Sequence, residues 1–255
     1  MATRQRMQEL GRRTAALVAG LWMALSAHAQ HEPVRIGAED DWAPFSSVKE
    51  GLPHGMAVDL VQAIFAEAGI PLELVPLPYA RCMEDAKRGR LAGCFDTLPD
   101  AGLRKDYIFH AQPLFVDELW ILGRATSAAG NLKTADLADK HVIVTHGYTY
   151  GDAFESNAAI HRVTAPHDIN ALRMLVAERG DFAVVYRRIT RHLERGSAQD
   201  LRGKFKRVGK LEDAALYLSF SRQYPGAETL VQRFNEAHMR LRKNGSLQKI
   251  EKRWN

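Results

Sequence analysis

The chain has 255 residues, 46% apolar and 25% charged, with a net charge of +5; it is long and apolar enough to bury one or two cores, which excludes a disordered or fibrous protein. The positive excess does not make a nucleic-acid binder, because four arginines against one acid, Glu9, stand at the extreme N-terminus and the other Lys and Arg are interspersed with Asp and Glu. The densest basic run, 201–210, offers little beyond Phe205 for stacking bases and reads as solvated surface.

In chain order, Arg4, Arg6, Arg12 and Arg13 precede an apolar run, 15–25, and Ala27-His28-Ala29 supplies small residues where a signal peptidase cuts. Residues 1–29 therefore read as a secretory signal peptide, which places the mature protein in the periplasm. The apolar run is well short of the ~20 residues that span a bilayer. The residues after Arg12-Arg13 match a twin-arginine signal poorly, which favours ordinary secretion.

After the leader, 34–39 reads as a strand, followed by a breaker-rich loop, DDWAPFSS. Leu60, Ile64 and Phe65 give 56–68 a helical period, ended by Gly69 and Pro71. Strand 72–77, helix 80–88 and strand 92–96 continue the alternation, which predicts an α/β fold with a largely parallel sheet. A long apolar run, 114–123, gives way to a small, polar stretch. A second alternation then begins: strand 141–145, helix 168–178, and strands 181–186 and 205–208. A second apolar run, 215–220, precedes helices at 227–243 and 246–254.

Two residue patterns carry chemistry. The first is HVIVTHGYTYGDAF, 141–154, in which Gly147 opens a turn and GYTYG has the outline of a Gly-x-Ser-x-Gly nucleophile elbow with Thr149 as the nucleophile. A hydrolase also needs an acid and a His in a matching context, and neither Asp168, Asp181, His192 nor His238 stands in one; the alternative is a turn that offers hydrogen-bond donors to an anion. The second is the pair Cys82 and Cys94. Two cysteines exclude a Cys-x-x-Cys zinc site and leave one disulfide or two buried thiols. In a strand-helix-strand unit, Cys82 in the first helical turn and Cys94 near the end of the next strand lie within bridging reach, so a disulfide is expected. The ten His show no metal-binding spacing, so no metal or cofactor is expected.

VRIGAEDDWAPFSS, the helix start GMAVDL at 55–60, the segment GRLAGCFDTLPDAGLRKDYIFHAQPLF and the ending Asn244-Gly245-Ser246-Leu247 through Ile250 to Trp254 occur in an order that resembles the bacterial extracellular solute-binding proteins of family 3. The resemblance covers essentially all of the mature chain. It implies an α/β fold of the two-lobed periplasmic binding protein type II, or Venus-flytrap, kind with two hinge strands. Residues 30–120 plus 218–255 would form lobe 1, residues 121–217 lobe 2, and the two long apolar runs the hinge strands.

The resemblance also implies a site between the lobes. Arg104 matches the arginine that takes a ligand carboxylate through two parallel N–H donors. Thr97 stands at a hydroxyl position of that family, and Asp96 is an unusual acid beside it, able to pair with Arg104 or with a ligand ammonium. Trp42 and Tyr79 match aromatic positions that sandwich the ligand. Glu39, at the C-terminal end of the first strand, is placed to read a basic ligand group. Tyr148 and Thr149 fall where the second lobe has a hydroxyl-bearing turn, which makes Thr149 a donor rather than a nucleophile. Tyr186 replaces the Asp that normally holds an α-ammonium, and a phenol brings no charge to that contact.

The function this implies is a non-enzymatic, monomeric solute-binding protein. It would capture a small polar amino acid or related carboxylate and deliver it to an ABC-type importer permease in the inner membrane. The alternatives are a cyclohexadienyl dehydratase-like enzyme on the same scaffold, with Glu39, Asp96 or Glu155 as general acid, or a ligand-sensing protein for a membrane receptor.

Overall fold

The structure, a computed structural model, describes residues 32–254; the signal peptide assigned to 1–29 lies outside them. Val34–Asn255 is one compact unit. Among the described residues, nine strands form one mixed sheet and three short strands form a second. Along the larger sheet, β5 (Leu72–Leu77), β1 (Val34–Glu39) and β6 (Gly93–Thr97) lie parallel at one end. At the other end β10 (His161–Ala165), β9 (His141–Thr145) and β11 (Phe182–Tyr186) are likewise parallel. The inner strands β6, β9 and β11 are almost wholly buried, as strands covered on both faces must be, while the outer strands β5 and β10 are largely half-buried or exposed.

Two long strands join the sets. β8 (Phe115–Arg124) pairs antiparallel with β11, and with β12 (Phe205–Ser221) along most of its length. β12 follows β8 from Phe205 to Leu216 and then pairs with β6 from Tyr217 to Phe220, so a single strand passes from one half of the sheet to the other. The sequence pattern divides this strand into 205–208 and 215–220, and the structure corrects that reading. Register shifts after Arg207 and after Lys210 rotate the inward alternation twice, and Lys210, Glu212 and Asp213 then interrupt the apolar pattern without ending the strand.

Helix α1 (Met56–Glu67) buries seven side chains, and its Phe65 meets Phe234 of α7 (Ala227–Lys243), with ring centroids 5.7 Å apart. The last helix, α8 (Ser246–Arg253), adds Leu247 to the same core, and the indole of Trp254 beyond it donates to Asp59 of α1 at 2.9 Å. The loop expected after β1 instead contains the small sheet of β2 (Asp41–Trp42), β3 (Ser46–Lys49) and β4 (Leu52–His54), with a cis Ala43-Pro44 bond. α6 (Arg187–Arg195), β10 and β7 (Tyr107–Phe109) are absent from the sequence reading. α6 is too polar for an apolar period to show, and β7 is only three residues long.

The expected disulfide is present. Cys82, in α2 (Tyr79–Lys87), is bonded to Cys94 in β6, with Cα atoms 5.9 Å apart. Gly37 of β1 makes room for it: a Cβ there would stand 2.2 Å from the Cys82 sulfur. Closing a loop this short contributes about 3 kcal/mol in the chain-entropy picture.

Candidate functional site

In an open parallel sheet, ligands bind beyond the C-terminal ends of the strands, where backbone direction and loop placement leave a crevice. This chain has two such ends facing each other. From the first half come Glu39, which ends β1, Trp42 of β2, Tyr79, which opens α2 just after β5, and Asp96 near the end of β6. From the second come Tyr148 and Thr149 after β9, and Tyr186, which ends β11. These seven side chains and Leu98 line one cavity with a volume of about 10 Å³, room for about one water molecule. A larger solute reaches it only if the two halves part.

Two of the expected contact residues stand outside the lining. Thr97 is fully buried behind it, where its Oγ1 accepts the Tyr79 hydroxyl at 3.3 Å and lies 3.2 Å from the Ser219 hydroxyl. Arg104 lies in the single turn α3 (Leu103–Asp106); it is exposed, and its guanidinium carbon is 5.5 Å from the centre of the Phe109 ring.

Several bonds close the cavity across the halves. The Tyr148 hydroxyl donates to Oε1 of Glu39, the Thr149 hydroxyl donates to the Leu98 carbonyl at 2.9 Å, and the Ala101 amide donates to Asp152 Oδ1 at 2.7 Å. Trp42 is edge-on to both Tyr148 and Tyr186, with centroids 6.1 and 5.1 Å away, and Tyr79 is edge-on to Tyr148 at 5.3 Å. Gly147 is required by this closure. Its φ of 79° favours glycine, and a Cβ there would come 2.8 Å from the Ala80 Cβ on the opposite half. The helix that follows this turn is a single turn, α4 (Asp152–Glu155), that starts beyond Gly151. Tyr148 and Thr149 therefore line the cavity ahead of the helix and not at its end.

Electrostatically the cavity is acidic. Burial pushes the Glu39 carboxyl well above its usual range against the lowering effect of the Tyr148 hydrogen bond, and Asp96 is raised by burial alone. Neither oxygen of Asp96 has a hydrogen-bond partner, and its residue is 6% exposed. Asp96 also has φ of 67°, a left-handed conformation that a non-glycine residue keeps only when its surroundings impose it. The sequence reading weighed Asp168, the first residue of α5 (Asp168–Val176), only as a hydrolase acid and did not place it at the cleft. Its buried carboxylate accepts the Trp42 indole N–H at 3.2 Å and the Thr145 hydroxyl at 2.5 Å. The signal available was its position, the first helical residue after a parallel strand at the cleft edge. Among the described residues no group of three or more His, Cys, Asp or Glu is placed to hold a metal ion.

The family model described as bacterial extracellular solute-binding proteins, family 3, matches residues 34–255. The chain belongs to that family. No curated protein sequence matches it, but solved structures do. A histidine kinase sensor domain with similarity to periplasmic binding proteins superposes with a TM-score of 0.76 at 22% identity, covering 88% of this chain and 96% of that one. The arginine-, lysine-, histidine-binding protein of Geobacillus stearothermophilus gives 0.71 at 19% identity, covering 88% and 95%. An ancestral arginine-binding protein bound to arginine gives 0.72 at 21% identity, covering 87% and 97%. The fold of this solute-binding protein is thus the two-lobed type II periplasmic binding protein fold, with β8 and β12 as its two connecting strands.

Proposed function

We propose that this family member is a periplasmic protein that closes two lobes around a small polar, amino-acid-sized solute and delivers it to an ABC-type importer in the inner membrane, without chemistry of its own. Lobe 1 comprises 30–120 plus 218–255, and lobe 2 comprises 121–217. The observation that carries this reading is the cavity at the meeting point of two parallel strand sets, lined from both sides and closed by bonds that run between them. Such bonds exist only in the closed state, so a ligand that adds contacts to both lobes favours closure. The transport partner is supported by neighbours such as the substrate binding protein of an amino acid ABC transporter.

A second reading, ligand sensing for a membrane receptor, is favoured by the histidine kinase sensor domain among the structural neighbours. A thermal-shift screen of the mature protein against amino acids, amines and small carboxylates tests solute binding, because a ligand specific to the native state raises the melting point by mass action. Uptake of the radiolabelled hit by cells lacking the gene separates the two roles. Lost uptake supports import; unchanged uptake with a lost transcriptional response supports sensing.

A further inference from the structure

A ligand carboxylate in a closed cleft needs a cationic or multi-donor partner, since it leaves water on enclosure. None of the side chains lining this cavity is Lys, Arg or His. The hydroxyl of Tyr79 is given to Thr97, that of Tyr148 to Glu39 and that of Thr149 to Leu98, while the Trp42 indole N–H is given to Asp168. Acceptors are in excess: Asp96 presents two oxygens without partners, and Glu39 has Tyr148 as its one hydrogen-bonded side chain. Arg104, the basic residue expected here, is exposed beside Phe109, and its carbonyl accepts a bond from Arg222 at 3.1 Å.

We propose that the cavity binds an organic cation that carries no carboxylate, an amine or guanidinium compound, with Asp96 as its counter-ion, Glu39 as a second acceptor and the rings of Trp42, Tyr79, Tyr148 and Tyr186 around its charge. This rests on the solute-binding reading above. Two buried acids without a cationic partner are costly to ionise alone, and an enclosed cation supplies the charge that each lacks. Aromatic faces add attraction for the same sign of charge. An additional carboxylate on the ligand would be desolvated next to two acids with no cationic side chain in the lining to meet it, which selects against ordinary amino acids. The raised acids follow the same logic: they are protonated more readily in the unliganded protein, and a bound cation favours their ionised form, so binding releases protons.

Titration calorimetry and thermal shift on the mature chain compare matched pairs: agmatine with L-arginine, cadaverine with L-lysine and putrescine with L-ornithine, plus L-glutamine and L-glutamate. The expected result is that the decarboxylated member of at least one pair binds 10-fold or more tightly than its amino acid. Its binding heat should change with the buffer's ionisation enthalpy, and Asp96→Asn should weaken it at least 10-fold. An amino acid that binds as tightly as its decarboxylated partner, or binding of glutamine or glutamate with none of the amines, overturns the inference and leaves the solute-binding reading standing. Silence from all eight compounds overturns the inference too, and silence across the wider screen removes the solute-binding reading with it. If Asp96→Asn does not fold, the paired comparison on the wild type decides alone.

Discussion

The indole of Trp42 and the carboxylate of Asp168 meet across the two lobes at 3.2 Å, and Thr145 holds the other carboxylate oxygen. Burial outweighs these two bonds and pushes the Asp168 pKa up to about 6. A folded pKa raised above the unfolded one means that the native state holds the proton more tightly. The contribution of this group is therefore fully present below about pH 4 and is lost as pH rises through 6, a difference of roughly 2 to 3 kcal/mol. Asp168→Asn keeps an acceptor oxygen for the Trp42 N–H, turns its amide N–H toward the Thr145 hydroxyl oxygen, and removes the titration. The variant should gain on the wild type by that amount between pH 4 and pH 7, measured as a difference of urea-unfolding free energies. The difference matters because buried His110 and His238, lowered to about 3 and about 4, have the opposite slope. A gap that does not change with pH would refute the account.

Gly37 and the disulfide form a second coupled pair. Gly37→Ala drives a Cβ into the Cys82 sulfur and close to Leu91 Cδ1, 3.1 Å away, and overpacking of this kind costs about 1 to 3 kcal/mol. In a Cys82→Ala/Cys94→Ala background the sulfur is gone, and the penalty of Gly37→Ala should fall by half or more. Chemical denaturation of the four proteins in the cycle checks this. Equal penalties in both backgrounds would mean that the disulfide is not what the glycine accommodates.

How much of this was legible in the sequence depends on how each feature is encoded. Glu39 could be placed because strand patterns are local and the C-terminal end of a parallel strand has a fixed meaning, and Asp96 because its segment resembles one that faces the ligand in the family. The Cys82–Cys94 bridge could be placed because a strand-helix-strand unit brings its segments together predictably. Asp168 was hidden because an acid in the first turn of a helix suits the helix dipole whatever else it does. β12 was hidden because bulges reset the two-residue alternation on which strand recognition depends. Arg104 shows the limit of position: its place in a matched segment implies a role in the cleft, while the turn of α3 carries its side chain to the surface.

Asp117 should be the most sensitive charge in the connecting strands. Its side chain is fully enclosed on β8 and is held by Arg187 at 3.2 Å, by Arg188 Nε at 3.4 Å and by the Arg188 amide at 3.0 Å. Removing the enclosed carboxylate leaves the Arg188 amide without its acceptor and takes a shared counter-charge from two arginines, so Asp117→Ala should destabilise by about 2 to 4 kcal/mol. Urea unfolding measures it. A loss under about 1 kcal/mol would show that water or rearranged side chains replace the carboxylate at no great cost.

Arg104 provides the sharpest contrast with the acids of the cavity. If a ligand carboxylate were held by this guanidinium, Arg104→Ala would remove a charge-assisted bidentate contact and weaken binding by orders of magnitude. In the closed structure the guanidinium is directed onto Phe109, an exposed cation–π contact of about 0.5 to 1 kcal/mol. Arg104→Ala should therefore lower stability by no more than that and change the affinity for agmatine less than threefold. Asp96→Asn, which neutralises the carboxyl left without a hydrogen-bond partner in the cavity, should weaken agmatine binding at least tenfold. Calorimetry of both variants, with circular dichroism melts to confirm folding, sets the two residues against each other. Loss of affinity in Arg104→Ala with Asp96→Asn unaffected would mean that the arginine swings into the cleft on binding and that the ligand does carry an acid group.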